Sequence, residues 1–105
     1  MSVITYNKLV RDRIPEIIEA SGKNCIVETL SEERYLEMLD AKLAEELAEY
    51  HKDQNIAELA DLMEVLLAVV KARGYSREEL EAVRLEKADK RGAFEKKILL
   101  KEVSS

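Results

Sequence analysis

The stretch EELAEYHKDQNIAELADLMEV, Glu45–Val65, decides how the rest of the chain is read. Glu46 and Glu49 form one E-x-x-E, and Glu58 and Asp61 form an E-x-x-D after eight intervening residues. Side chains three or four positions apart share a helix face. If both segments are helical, each pair puts two carboxylates on one turn. The acids are then either the solvated side of two amphipathic helices or a group aimed at something positively charged.

Working outward, Ser31 is placed to cap a helix whose first turn holds Glu32 and Glu33. At 100° per residue, Leu36, Leu39, Leu43, Leu47 and Tyr50 fall within about 80° of arc, which predicts a core stripe. His51–Asn55 (HKDQN) is polar and reads as a turn. Asn55 can cap a third helix ending near Arg73, with Gly74 as its stop. Ile56, Leu59, Leu62, Met63, Val65, Leu66, Leu67, Val69 and Val70 cover more than half of that helix, so it is expected to be buried on more than one side. The short connection predicts antiparallel neighbours, with the E-x-x-E facing the E-x-x-D across a groove.

Elsewhere, Pro15 suits the first turn of a short helix, IPEIIEAS, which Gly22 stops. Ser76 and Glu79 form an S-x-x-E capping box that opens a fourth helix ending near Lys90. VITY (3–6), NCIVETL (24–30) and AFEKKILLKEV (93–103) are candidate strands or extended segments. The expected fold is all-α, an antiparallel helical bundle of about four helices with short strands near the termini, in one domain over residues 1–105.

Composition agrees. Of 105 residues, 47% are hydrophobic and 37% charged, with only three Gly and one Pro, a mix that favours helix over disorder. At 12.0 kDa, association into a homodimer or homotetramer is an expected way to bury more apolar surface. The single Cys25 allows no internal disulfide, and one His leaves no Cys/His metal spacing, so a cytoplasmic protein is expected. Lys8, Arg11 and Arg13 argue against a signal peptide. Glu58, Asp61, Glu64 and Lys71 interrupt the most apolar run too often for a membrane span.

The net charge of −5 is unevenly spread. Glu32–Glu64 holds eleven acids and three bases, residues 1–13 hold three bases and one acid, and residues 86–101 hold six bases and three acids. An acidic middle repels a nucleic-acid backbone, yet it accepts a small polyphosphate bridged by metal ions and flanked by bases.

On the helical wheel, Lys42, Glu46 and Glu49 lie beside the leucine stripe at i, i+4 and i+7, with Glu45 farther towards solvent. Glu58 projects inside the apolar arc, between Leu62 and Val65, and Asp61 flanks it. Glu64 and Lys71 mark the wetter side. Carboxylates converging at a partly buried groove repel one another, so either their pKa values rise or cations neutralise them. Oxygen ligands at this spacing suit Mg²⁺, with Mn²⁺ as a substitute. The plainer alternative is that Glu58 is the acid of an N-x-x-E cap with Asn55.

Lys42–Glu49 (KLAEELAE) followed by Glu58–Val65 (ELADLMEV) resembles the all-α nucleoside triphosphate pyrophosphohydrolases. That superfamily includes MazG-like proteins, phosphoribosyl-ATP pyrophosphohydrolase and the dimeric dUTPases. Tyr6–Ile18 (YNKLVRDRIPEII) and Lys87–Phe94 (KADKRGAF) look like a MazG-like subgroup often labelled phosphoribosyl-ATP pyrophosphohydrolase-like. The resemblance implies a multimer with Mg²⁺-dependent cleavage between the α- and β-phosphates, releasing a nucleoside monophosphate and pyrophosphate. It also implies Glu46, Glu49, Glu58 and Asp61 as metal ligands, with Glu45 a weaker candidate. Glu49, ahead of Glu46, is the preferred carboxylate to activate water. The interval between the two motifs is shorter than in many members of the superfamily, which requires a tight turn.

Lys8, Arg11, Lys42, Lys87, Lys90 and Arg91 are candidates to hold the phosphates, against a reading of ordinary surface charge; the subgroup signature favours Lys8 and Arg11 over Arg13. Tyr6, Asn7 and Phe94 are candidates to touch a base or simply to pack. His51 reads as a surface residue and Cys25 as a small core residue. House-cleaning of nucleotide pools is the expected function. Hydrolysis of phosphoribosyl-ATP in histidine biosynthesis and a non-catalytic helical dimerisation module are the alternatives.

Overall fold

A computed structural model describes residues 2–105 and is all-α, with α1 Ile14–Ala20, α2 Glu32–Asp53, α3 Ile56–Ala72 and α4 Arg77–Arg91. Local chemistry sets the boundaries. Pro15 lies in the first turn of α1, and Gly22, at φ +90°, follows its end. The Ser31 side chain accepts a hydrogen bond from the Arg34 backbone N at 3.2 Å, and Asn55 Oδ1 accepts one from Glu58 N at 3.0 Å. Ser76 and Glu79 exchange both bonds of a capping box at the start of α4. Gly74, at φ +89°, closes α3 in a conformation that a Cβ would strain.

Three expectations are corrected. The HKDQN segment is not a turn throughout, because α2 continues through His51, Lys52 and Asp53. The reversal is confined to Gln54, in the left-handed conformation at φ 49°, and Asn55. Nothing in His51–Asp53 breaks a helix, and His51 and Lys52 suit the negative end of its dipole. Second, the three candidate strands contain no strand among the described residues: none has the neighbouring ladder a strand requires, and the third opens with a turn in which Lys97 N donates to Phe94 O at 3.3 Å. Third, α3 is not buried on several sides: Ile56, Leu59, Met63 and Leu66 are exposed.

α2 and α3 form an antiparallel hairpin. Its open end is tied by Arg73 Nη2 to Asp40 Oδ2 at 3.2 Å, while Glu46 and Glu58 meet towards the turn. Leu39 alone among the described residues is a fully buried hydrophobic; Leu36, Leu43 and Tyr50 are half-buried, and Leu47 is exposed. α4 meets α3 but not α2, and α1 meets neither. The chain extends over 66 × 31 × 24 Å. No helix of the described residues is long and apolar enough to cross a membrane.

Candidate metal centre

The two-residue reversal fixes which carboxylates can meet. Carboxylate oxygens of Glu46, Glu58 and Asp61 lie within 4.8 Å of one another, and those of Glu49, Asp53 and Glu58 form a second group within the same limit. Glu58 belongs to both. All four acids expected from the paired motifs therefore gather at one end of the hairpin, joined by Asp53. That fifth residue was hidden by reading His51–Asn55 as a turn. Its signal was present: Glu46, Glu49 and Asp53 stand at i, i+3 and i+7 with no glycine or proline between them.

The cluster is graded in exposure. The Glu46 side chain is only 12% exposed, Glu58 and Asp61 are half-buried, and Glu49 and Asp53 are open to solvent. Desolvation first, and then the charges of Asp53, Asp61, Glu49 and Glu46, push the Glu58 carboxyl above the usual carboxylate range. Asn55 caps through the Glu58 backbone N–H, yet the Glu58 carboxylate does not return the bond in the way that Glu79 does in α4. The cap therefore positions Glu58 without consuming its carboxylate.

Bases reach this end from two directions. Lys42, one turn earlier on α2, lies 3.4 Å from both Glu45 Oε2 and Glu46 Oε1. The N-terminal segment before α1 brings Lys8 Nζ to Glu45 Oε1 at 3.2 Å and Arg11 Nη2 to Asp61 Oδ1 at 2.7 Å, with Arg11 Nη1 4.0 Å from Glu64 Oε1. Partial burial acts to raise the Glu45 carboxyl pKa, but hydrogen bonds and charge from Lys8 and Lys42 outweigh it and hold the group below its usual value. Arg13 pairs with Glu16 in α1 instead.

The other expected contacts are not brought to the acids. Lys90 pairs with Glu86 one turn back on α4, and no ion pair among the described residues joins Lys87, Lys90 or Arg91 to α2 or α3. Phe94 is almost fully exposed and Tyr6 largely so. Asn7, with Lys8, Leu9, Met38 and Lys42, lines a small cavity of about 80 Å³ beside Glu45. His51 is exposed and tilted against the Tyr50 ring. Burial first, and then Glu19, raise the Cys25 pKa, so its thiol stays protonated and is a poor nucleophile.

The donors are all oxygens, three of them on α2 (Glu46, Glu49 and Asp53) and two on α3 (Glu58 and Asp61). They carry more negative charge than the neighbouring bases offset, the chemistry of a hard divalent cation site. Among known proteins, the chain is similar to an uncharacterized protein of Mycolicibacterium smegmatis, 60% identical over 42 residues. The matched part is 40% of this chain and 43% of that relative. No family model matches the chain, and no solved structure matches it.

Proposed function

We propose that this chain is a Mg²⁺-dependent nucleoside triphosphate pyrophosphohydrolase acting as a homodimer or homotetramer, with house-cleaning of nucleotide pools as its role. The observation that carries the reading is the convergence of Glu46, Glu49, Asp53, Glu58 and Asp61 within reach of common ligands, beside Lys8, Arg11 and Lys42. The cleavage position, between the α- and β-phosphates, rests on the resemblance of the paired acidic motifs.

Glu46, Glu58 and Asp61 fit an inner set of ligands, and Glu49, Asp53 and Glu58 an outer set. Bound there, Mg²⁺ supplies charge stabilisation to the phosphates and acidifies water. Glu46 is engaged with Lys42 and Asp61 with Arg11, whereas Glu49 is exposed and joins no ion pair among the described residues. Glu49 is thus the carboxylate most available to take a proton. In the reaction, water oxygen bonds to the α-phosphorus and the bond from that phosphorus to the α,β-bridging oxygen breaks. Pyrophosphate leaves with the bonding pair, and the water proton passes to Glu49. Lys8 and Arg11 are placed to exchange a carboxylate partner for a phosphate oxygen as substrate arrives.

The test incubates the full chain with a panel of nucleoside triphosphates and Mg²⁺ and assays pyrophosphate against orthophosphate. Pyrophosphate release that is lost in Glu49→Gln and Asp61→Asn, with helicity retained, supports the proposal. Absence of turnover on every nucleotide, together with stability indifferent to divalent ions, replaces it with the dimerisation module.

A further inference from the structure

One acid of the inner group is already held by a cation of this chain. Of Glu46, Glu58 and Asp61, Glu46 is paired with Lys42 on its own helix, whereas Asp61 accepts a hydrogen bond from Arg11 Nη2 at 2.7 Å. Arg11 arrives on the segment that precedes α1. Three residues earlier on that segment, Lys8 Nζ reaches Glu45 Oε1 at 3.2 Å. Glu45 belongs to α2 and Asp61 to α3, so Lys8–Arg11 is tied to both arms of the hairpin.

Little else holds it there. A turn stands at each end: Asn7 takes the left-handed conformation at φ 48°, which Asn tolerates better than most residues, and Ile14 N donates to Arg11 O at 3.0 Å where α1 begins. α1 itself meets no other helix. Among the described residues, the hydrogen bonds that join residues 2–13 to α2 and α3 come from the Lys8 and Arg11 side chains alone. Leu9 is half-buried, and Val10 beside it is exposed. The Lys8 and Arg11 side chains are 51% and 57% exposed, and ion pairs so open to water hold weakly. Lys42 is fixed one turn from Glu46 and cannot withdraw; Lys8 and Arg11 can. Together they bring two positive charges, the same as one divalent cation. Glu46, Glu58 and Asp61 offer such an ion three carboxylates at once. The guanidinium, which the ion repels, has one close carboxylate in Asp61 and a distant one in Glu64, at 4.0 Å.

We infer that Lys8–Arg11 is an autoinhibitory strap. In the resting protein it closes over the acids; when Asp61 takes up a divalent cation, Arg11 is freed and the strap opens. Capture of phosphate by Lys8 and Arg11 is thereby conditional on the metal. This rests on the metal centre of the proposed function and adds to it an order of events, cation before nucleotide.

The test uses Mn²⁺ and the full chain, without nucleotide. Calorimetry compares the Mn²⁺ affinities of the parent, Arg11→Ala and Arg13→Ala. Arg11→Ala has no guanidinium to displace and is expected to bind Mn²⁺ about fivefold more tightly, whereas Arg13→Ala, whose partner is Glu16, is expected within about twofold of the parent. Trypsin digestion followed by mass spectrometry reads the strap itself, because a basic side chain held on a carboxylate is withheld from the protease. Saturating Mn²⁺ is expected to speed cleavage of the parent after Lys8 and Arg11 several-fold while slowing cleavage after Lys42 and Lys71 in the hairpin. Mn²⁺ binding that leaves cleavage after Lys8 and Arg11 unchanged or slowed overturns the strap and leaves the metal centre standing. So does an Arg11→Ala chain that binds Mn²⁺ no more tightly than the parent. A parent chain that binds no Mn²⁺ overturns both.

Discussion

Both ends of the chain are basic and the middle is acidic, yet only one end meets that middle. Lys8 crosses 37 positions of sequence to Glu45, and Arg11 crosses 50 to Asp61. Among the described residues, Lys90, on the other basic end, pairs only with Glu86 four positions away. The difference lies in what carries each base. The N-terminal segment belongs to no helix before Ile14 and meets the hairpin through Lys8 and Arg11, so its side chains can settle on acids. Lys87, Lys90 and Arg91 are held on α4, a capped helix that touches α3 alone. Complementary sign gives two segments a reason to associate; backbone direction decides whether they do.

The largest effect that would break this contrast is loss of the cluster to which the N-terminal bases attach. Asp61→Asn removes a carboxylate from the inner group and the partner of Arg11. Hydrolysis, measured as kcat/KM, is expected to fall by about a hundredfold or more, since even partners one shell removed from a metal are worth about 10–100-fold. Arg11→Ala is next: a charged hydrogen bond to phosphate contributes about 1.5–3 kcal/mol, hence roughly 10–100-fold in kcat/KM. Lys90→Ala is expected to stay within about twofold, because an exposed i, i+4 pair contributes only about 0.3–0.5 kcal/mol to stability and its head is spent on Glu86. Equal losses in Arg11→Ala and Lys90→Ala would show that both basic ends serve the acids.

How much of this was legible in the sequence depends on the range of the interaction. Helical period alone put Glu46 and Glu49 on one face and Glu58 and Asp61 on another, and the caps at Ser31, Asn55 and Ser76 are three-residue relationships. Asp53 was obscured because polar composition was read as a turn, although the reversal needs only Gln54 and Asn55. The candidate strands failed for a different reason: alternation describes a segment, whereas a strand exists only with a neighbour. Lys8–Glu45 and Arg11–Asp61 were not readable as pairs, since charge balance implies attraction without naming partners.

Two glutamates at the site offer a pH comparison of opposite sign. The Glu58 carboxyl is raised in the folded chain, so the folded state binds the extra proton and loses stability as pH rises from the unfolded value, about 4.3, through the folded one. Glu58→Gln is therefore expected to be more stable than the parent at pH 7 without divalent ions, the advantage vanishing in acid. The Glu45 carboxyl is lowered, so its contribution is present above the unfolded value and lost as pH falls through the folded one. Glu45→Gln is expected to be slightly less stable at neutral pH and equal in acid. Denaturant unfolding in chelator across pH measures both, and shifts of the same sign would contradict the electrostatic assignment. Magnesium is expected to stabilise the parent chain and to do little for Glu58→Gln.

The smallest effect sharpens the role of the reversal. Asn55→Ala removes the cap between the two acidic motifs and is expected to cost about 1 kcal/mol, while weakening divalent-ion binding because Glu58 is positioned by that cap. Ser76→Ala removes an equivalent cap on α4 at similar cost, and ion binding is expected to be unchanged. Titration with Mn²⁺ separates the two.

The central claim, that clustered carboxylates direct water at the α-phosphorus, is tested most directly by hydrolysing a nucleoside triphosphate with Mg²⁺ in isotopically heavy-oxygen water. The expected products are nucleoside monophosphate and pyrophosphate, with the heavy oxygen in the monophosphate alone. Label in the pyrophosphate, orthophosphate as the primary product, or undiminished hydrolysis by Asp61→Asn would contradict the account.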